Sequence, residues 1–283
     1  EREVIVIKRL VLSLAMPAVL FLSFSDIELQ IEYLPVILVI ITINGLLLAS
    51  GVLMNRLRKR TIRVMPFALC SMNFALIGLP LYESVFGFDH LYNFLLLGIG
   101  GELFFWVLFF PLFSHFIIKS SDRQSPVQAP IRSPIVWGIL LGIIASMLSL
   151  NLTDSTHMVV QALYQTIVSL GALASPLVLI YIGAMISIKK TVLQQGLTLI
   201  GMRLALMLAL GYLMKVLIVD QFIFPSYHGD AAYFLLLILP AVFTMPIVTE
   251  GYLDKTETTV LSNMIVLQTP ITIALFSAYV LFV

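Results

Sequence analysis

Apolar residues run through this chain in stretches of about twenty, parted by short polar turns. No stretch alternates apolar and polar at every second residue, as the strand of a membrane barrel would. A helix satisfies its own backbone in hydrocarbon, where no water can do so, and crosses with roughly 20 mostly apolar residues. The pattern predicts nine spans: Val4–Phe24, Tyr33–Met54, Val64–Tyr82, Leu91–Ile118, Pro134–Leu150, His157–Ile188, Val192–Val219, Ala231–Tyr252 and Thr258–Val283. The expected fold class is an all-α polytopic membrane protein.

Composition agrees. Hydrophobic residues form 60% of the 283-residue chain and charged residues 11%, against about 25% charged in a soluble domain. No segment is long and polar enough for a separate soluble domain. Cys70 stands alone, so no internal disulfide can form, and its expected role is packing.

The net charge of +1 matters less than its distribution. One set of loops carries Arg2, Lys8, Arg9, Arg56, Arg58, Lys59, Arg60, Arg63, Lys119, Arg123, Arg132, Lys189, Lys190 and Lys255. The opposite set carries Asp26, Glu28, Glu32, Asp89, Asp154, Asp220 and Asp230, with Lys215 approaching it. Basic loops stay in the cytoplasm, which puts the C-terminus outside. A plasma membrane, the inner one in a bacterium, is the expected location. The stretch Lys119–Ser133, with Pro126 and Pro130, reads as a cytoplasmic linker between two halves.

Two segments are interrupted at membrane depth, Asn73–Pro80 (NFALIGLP) and Pro240–Pro246 (PAVFTMP). A proline inside a helix deletes a hydrogen bond and costs roughly 3 kcal/mol. Such breaks survive in a bilayer only when buried in protein or lining a cavity. Paired breaks in matching places of two halves point to a carrier's substrate site. The two halves share an order of features: Ser13-Leu-Ala-Met-Pro17 resembles Leu173-Ala-Ser-Pro176, and each proline is followed two spans later by an interrupted segment. The expected divisions are 1–119, a linker 120–133, and 134–283. The Pro17 span is first in the chain while the Pro176 span is second after the linker, so equal halves require one more helix before Glu1. Five helices per half invert one repeat relative to the other.

At these motifs the chain resembles the auxin efflux carrier family, which includes PIN-type carriers and bacterial dicarboxylate permeases. The resemblance spans nearly the whole chain and rests on Asn73–Pro80, on Ser175–Ala184 (SPLVLIYIGA), and on Pro240–Pro246 followed by Glu250-Gly251-Tyr252. It implies ten helices in two inverted five-helix repeats, the fourth and ninth broken and crossing, with an organic anion bound near the crossing. Bile-acid sodium symporters and sodium/proton antiporters are more distantly similar. Relatives of that architecture also imply a homodimer.

The ends of broken helices offer unpaired N–H groups that suit a carboxylate. Asn73, Gly78, Pro80, Pro240, Thr244 and Pro246 are therefore the candidate substrate site: Asn73 as a donor, Gly78 for close approach, Thr244 as a hydroxyl at the second break. Arg203, deep in its span, either grips an anionic substrate at two points or snorkels toward the cytoplasm. Glu102, mid-span, is read as a proton carrier, a structural partner of Arg203, or a carboxylate facing an aqueous cavity. Glu250 is a second coupling candidate, while Glu83 lies near a span end. Asn44, Asn263 and Gln268 are supporting polar groups expected to tie helices together.

The four histidines, His90, His115, His157 and His228, lie near span ends without ligand spacing. Asn151-Leu-Thr153 matches a glycosylation acceptor but abuts the membrane. No serine-hydrolase elbow, His-Glu-x-x-His or phosphate loop is present, so an enzyme is not expected. No cofactor, metal or nucleic-acid partner is expected either; proton or sodium coupling stays open. The sequence thus predicts alternating-access transport of small carboxylates. A transporter-like sensor without flux and a sodium-coupled symporter are the alternatives.

Overall fold

The structure is a computed structural model that describes residues 6–7, 9–25, 34–57, 64–87, 90–110, 134–148, 150, 157–185, 190–222, 226–249 and 252–282. The linker 120–133, Glu250 and the Asn151–Thr153 sequon lie outside the described residues, as do most of the loop charges. Among the described residues the chain is helical and forms no sheet. The principal helices are α1 (Met16–Ser25), α2 (Leu34–Leu57), α3 (Met65–Leu69), α4 (Leu79–Phe86), α5 (Leu91–Leu103) and α6 (Pro134–Met147). They continue as α7 (Met158–Ala172), α8 (Ala174–Met185), α9 (Lys190–Met214), α10 (Tyr227–Ile238), α11 (Met245–Thr249) and α12 (Lys255–Phe282).

Among the described residues, five helical stretches are long and apolar enough to cross a membrane: Leu34–Leu57, Met65–Phe86, Met158–Val178, Lys190–Val219 and Lys255–Phe282. Val11–Ser25, Phe94–Phe109 and Pro134–Met147 are shorter apolar helices. The expected span Ala231–Tyr252 is two helices, α10 and α11, because the chain between them leaves the helical path. Large apolar side chains such as Trp137, Leu141, Leu163, Val216 and Phe282 face outward. In water such a surface would be a liability, whereas acyl chains solvate it. The chain is a membrane-embedded all-α protein.

The mid-span prolines have a local solution. Pro17 follows a π-helical turn, Val11–Ala15, and Pro80 follows another, Phe74–Gly78. Each turn contains the residue four places before the proline, whose carbonyl the ring would otherwise strike. The wider turn moves that carbonyl aside.

Contacts divide the chain into two compact units whose pieces interleave along the sequence: 1–31 with 106–184, and 32–105 with 185–283. In the first, α6 lies directly on α1. A Cβ added at Gly138 would sit 2.5 Å from the Pro17 carbonyl oxygen, and one at Gly142 would sit 2.7 Å from that of Phe21. Two glycines four apart let the backbones approach closely, the contact that substitutes for a hydrophobic driving force in lipid. The second unit contains α2 to α5 and α9 to α12. It holds most of the candidate site.

Candidate functional site: two interrupted helices that meet

Between α3 and the π turn at Phe74, residues Cys70–Asn73 are not helical, and between α10 and α11 the chain leaves the helix from Leu239 to Thr244. The two interruptions touch. The Asn73 N–H donates to the Pro240 carbonyl at 2.8 Å, and the Val242 N–H donates to Ser71 Oγ at 3.3 Å. Both stretches are buried: Asn73 and Thr244 are each 1% exposed.

The first interruption lies earlier than the motif Asn73–Pro80 suggested. Pro66 is at the second position of α3, where a helix lacks a partner for the N–H in any case, whereas Pro80 lies in α4, which continues the π turn without a break. Pro246 is second in α11. Pro66 and Pro246 begin half-helices. What breaks the first span is Ser71, held at φ 67°, a left-handed conformation that costs a non-glycine residue of order 1–3 kcal/mol. Its surroundings secure it on three sides. The Ser71 N–H donates to Asn44 Oδ1 at 2.8 Å, its Oγ accepts from Val242, and its carbonyl accepts from Arg203.

Each interruption exposes two kinds of helix end. The C-terminal ends of α3 and α10 present orphan carbonyls. Arg203, fully buried on α9, answers most of them. Its Nη1 donates to the Ala68, Leu69 and Cys70 carbonyls at 2.9, 2.7 and 3.1 Å, and its Nε to Leu239 at 3.3 Å. Nη2 donates to Leu239 at 3.2 Å and to Ser71. From α12, Gln268 Nε2 donates to the Ile238 and Leu239 carbonyls at 3.3 and 3.2 Å, and Thr272 Oγ1 to Ile238 at 2.7 Å. Arg203, considered as an anion contact, thus directs all its described hydrogen bonds at main-chain oxygens.

The opposite ends are the starts of the π turn at Phe74 and of α11, and there polar groups are left over. Asn73 flanks the first and Thr244 the second, and neither caps by side chain: Asn73 Nδ2 and Thr244 Oγ1 are buried without a hydrogen-bond partner among the described residues. A buried polar group without a partner costs roughly 1–3 kcal/mol, which makes both atoms stand out as ligand-facing candidates. Gln268 Oε1 is a third. Gly78 serves packing: a Cβ there would lie 2.6 Å from the Phe94 ring and 2.9 Å from Leu239.

The other candidates are spread around this junction. Asn44 ties α2 to Ser71, and its Nδ2 donates to Ile40 at 2.9 Å. Asn263 on α12 is 2% exposed and Glu102 on α5 is 7% exposed. A cleft of about 480 Å³ opens where α3, α9 and α12 begin, lined by Val64, Met65, Gln194, Thr198, Asp254 and Glu257 among others. Its two carboxylates cap α12 reciprocally: the Glu257 N–H donates to Asp254 Oδ1 at 2.8 Å and the Asp254 N–H to Glu257 Oε2 at 3.1 Å. Elsewhere in the same unit Lys215 binds Asp220 at 2.6 Å and Asp230 at 2.9 Å, and the rings of His90 and His228 stack 3.8 Å apart.

Ser71 and Thr272 went unremarked in the sequence. Ser71 sits in the polar insertion Cys70-Ser-Met-Asn73 of an otherwise apolar run, which is a signal; Thr272, one hydroxyl in a long helix, offers none. Compared with protein-family models and with curated proteins, the chain matches none.

Proposed function

We propose that this protein is a secondary carrier of small organic anions, with substrate held where the two interruptions meet. The observation that carries the proposal is the pair of unpartnered groups, Asn73 Nδ2 and Thr244 Oγ1, buried where two half-helices begin. Amide N–H donors and helix starts favour a carboxylate. Irregular backbone at membrane depth is tolerated where it is buried in protein or lines a cavity. The cleft beside α3 supports an approach from the end bearing Lys190 and Lys255.

The interleaving of the compact units supports nine spans arranged as an inverted repeat. Counted along the expected spans, the unit with the crossing takes the second to fourth and the seventh to ninth, three from each half. Alternating access exposes the crossing to each side in turn, in a plasma membrane with the basic loops inside. Glu102 is the proposed proton carrier, and Glu250 stays a second candidate. A sensor that binds without flux is the competing reading.

Counterflow of labelled carboxylates in proteoliposomes separates carrier from sensor. Exchange that is lost in Asn73→Ala supports the carrier; binding without exchange supports the sensor.

A further inference from the structure

We propose that the carbonyl oxygens ending α3 and α10 form a cation cage whose resident ion is the guanidinium of Arg203, supplied by the protein itself. Five oxygens, those of Ala68, Leu69, Cys70, Ser71 and Leu239, converge on one guanidinium. They come from two helix C-termini, where the partial charge is negative. Arg203 is 0% exposed, and each of its six described hydrogen bonds is to a main-chain oxygen. A charge buried this way is tolerated only if its surroundings replace the lost hydration.

Unwound backbone carbonyls and half-helix C-termini are what carriers use to coordinate a sodium ion. A ring of carbonyls replaces an ion's water shell in the same manner in potassium filters. Here the place is occupied by a group that cannot dissociate. The shape of the cage is fixed from outside it: Asn44 holds the Ser71 N–H, and Gln268 shares the Leu239 oxygen.

The cage stands apart from the transport reading, but its consequence for coupling rests on it. No exchangeable alkali cation enters at these carbonyls, so sodium cannot be the coupling ion at this point. Arg203 is a positioning residue, holding two half-helix ends together so that Asn73 and Thr244 keep their places.

Thermal unfolding of the purified, detergent-solubilised protein provides the test. Arg203→Ala should unfold at a lower temperature than wild type. Guanidinium chloride at millimolar concentration should raise its Tm by several degrees, saturably, while choline chloride of equal ionic strength should not. Wild type should respond to neither, nor to sodium in place of choline. Among side-chain replacements, Arg203→Lys should unfold at a higher temperature than Arg203→Gln or Arg203→Met, because only lysine keeps the charge. That ranking decides the matter if Arg203→Ala does not fold. The proposal is overturned by equal guanidinium responses in wild type and Arg203→Ala, by Gln or Met matching Lys, or by a sodium-dependent shift in wild type. None of these readings requires flux, so absence of counterflow in wild type would count against the carrier alone.

Discussion

The Asn73 N–H donates to the Pro240 carbonyl at 2.8 Å, joining two interruptions from opposite halves of the chain. Because the main chain makes this bond, Asn73→Ala keeps the junction and removes only the side-chain amide. A hydrogen bond to a charged group contributes roughly 1.5–3 kcal/mol, which is about 10- to 150-fold in affinity. Asn73→Ala is expected to express normally and to weaken carboxylate binding by that factor, measured as the ligand-induced Tm shift. Unchanged affinity would remove Asn73 from the site.

Ser71 combines a strained backbone with an acceptor for Val242. Glycine relieves the strain and loses the acceptor, two effects of similar size. Alanine loses the acceptor and keeps the strain; valine adds a branched side chain to it. The expected Tm order is wild type close to Ser71→Gly, then Ser71→Ala, then Ser71→Val. A valine variant as stable as glycine would show that the left-handed turn is absent.

Gln268 and Thr272 both serve the Ile238 carbonyl. Removing one leaves the other, so Gln268→Leu and Thr272→Val should each lower stability by less than about 1.5 kcal/mol. The double variant should lose more than the sum of the two. Simple additivity in a double-mutant cycle would mean that the carbonyl is satisfied elsewhere.

Much of this was legible in the chain itself. The membrane class follows from the length and apolarity of the helical stretches, and the second interruption from Pro240 and Pro246. The first lies away from the proline that marks its motif. Pro80 lies within a helical run that a π turn accommodates, whereas the departure at Ser71 is imposed by partners distant in sequence, Asn44, Val242 and Arg203. Arg203 declared itself as a charge at membrane depth, but its targets are carbonyls, and carbonyls have no signature in sequence. The packing of Gly78 is hidden for a similar reason, since only the fold brings Phe94 against it.

Glycine contacts give a contrast within one protein. Gly138 has no room for a Cβ, whose nearest neighbour would be backbone, while Gly183 and Gly201 have nothing within 4 Å. Gly138→Ala should therefore lower Tm by separating α1 from α6. At the open helical positions alanine should raise stability by roughly 0.4–1 kcal/mol. The same sign at both kinds of site would refute the close packing.

Glu102 bears on coupling. Glu102→Gln carries no titrating proton, so its carboxylate flux in proteoliposomes should be flat with pH where wild-type flux varies. A variant that retains the pH dependence removes Glu102 from proton transfer.

The most direct measurement is counterflow in proteoliposomes loaded with an unlabelled panel of small dicarboxylates and aromatic carboxylates. Wild-type protein is expected to accumulate the labelled form of at least one, and Asn73→Ala, equally reconstituted, is expected not to. Failure to exchange any member of the panel, or undiminished exchange by Asn73→Ala, would contradict a substrate site at the meeting of the two interrupted helices.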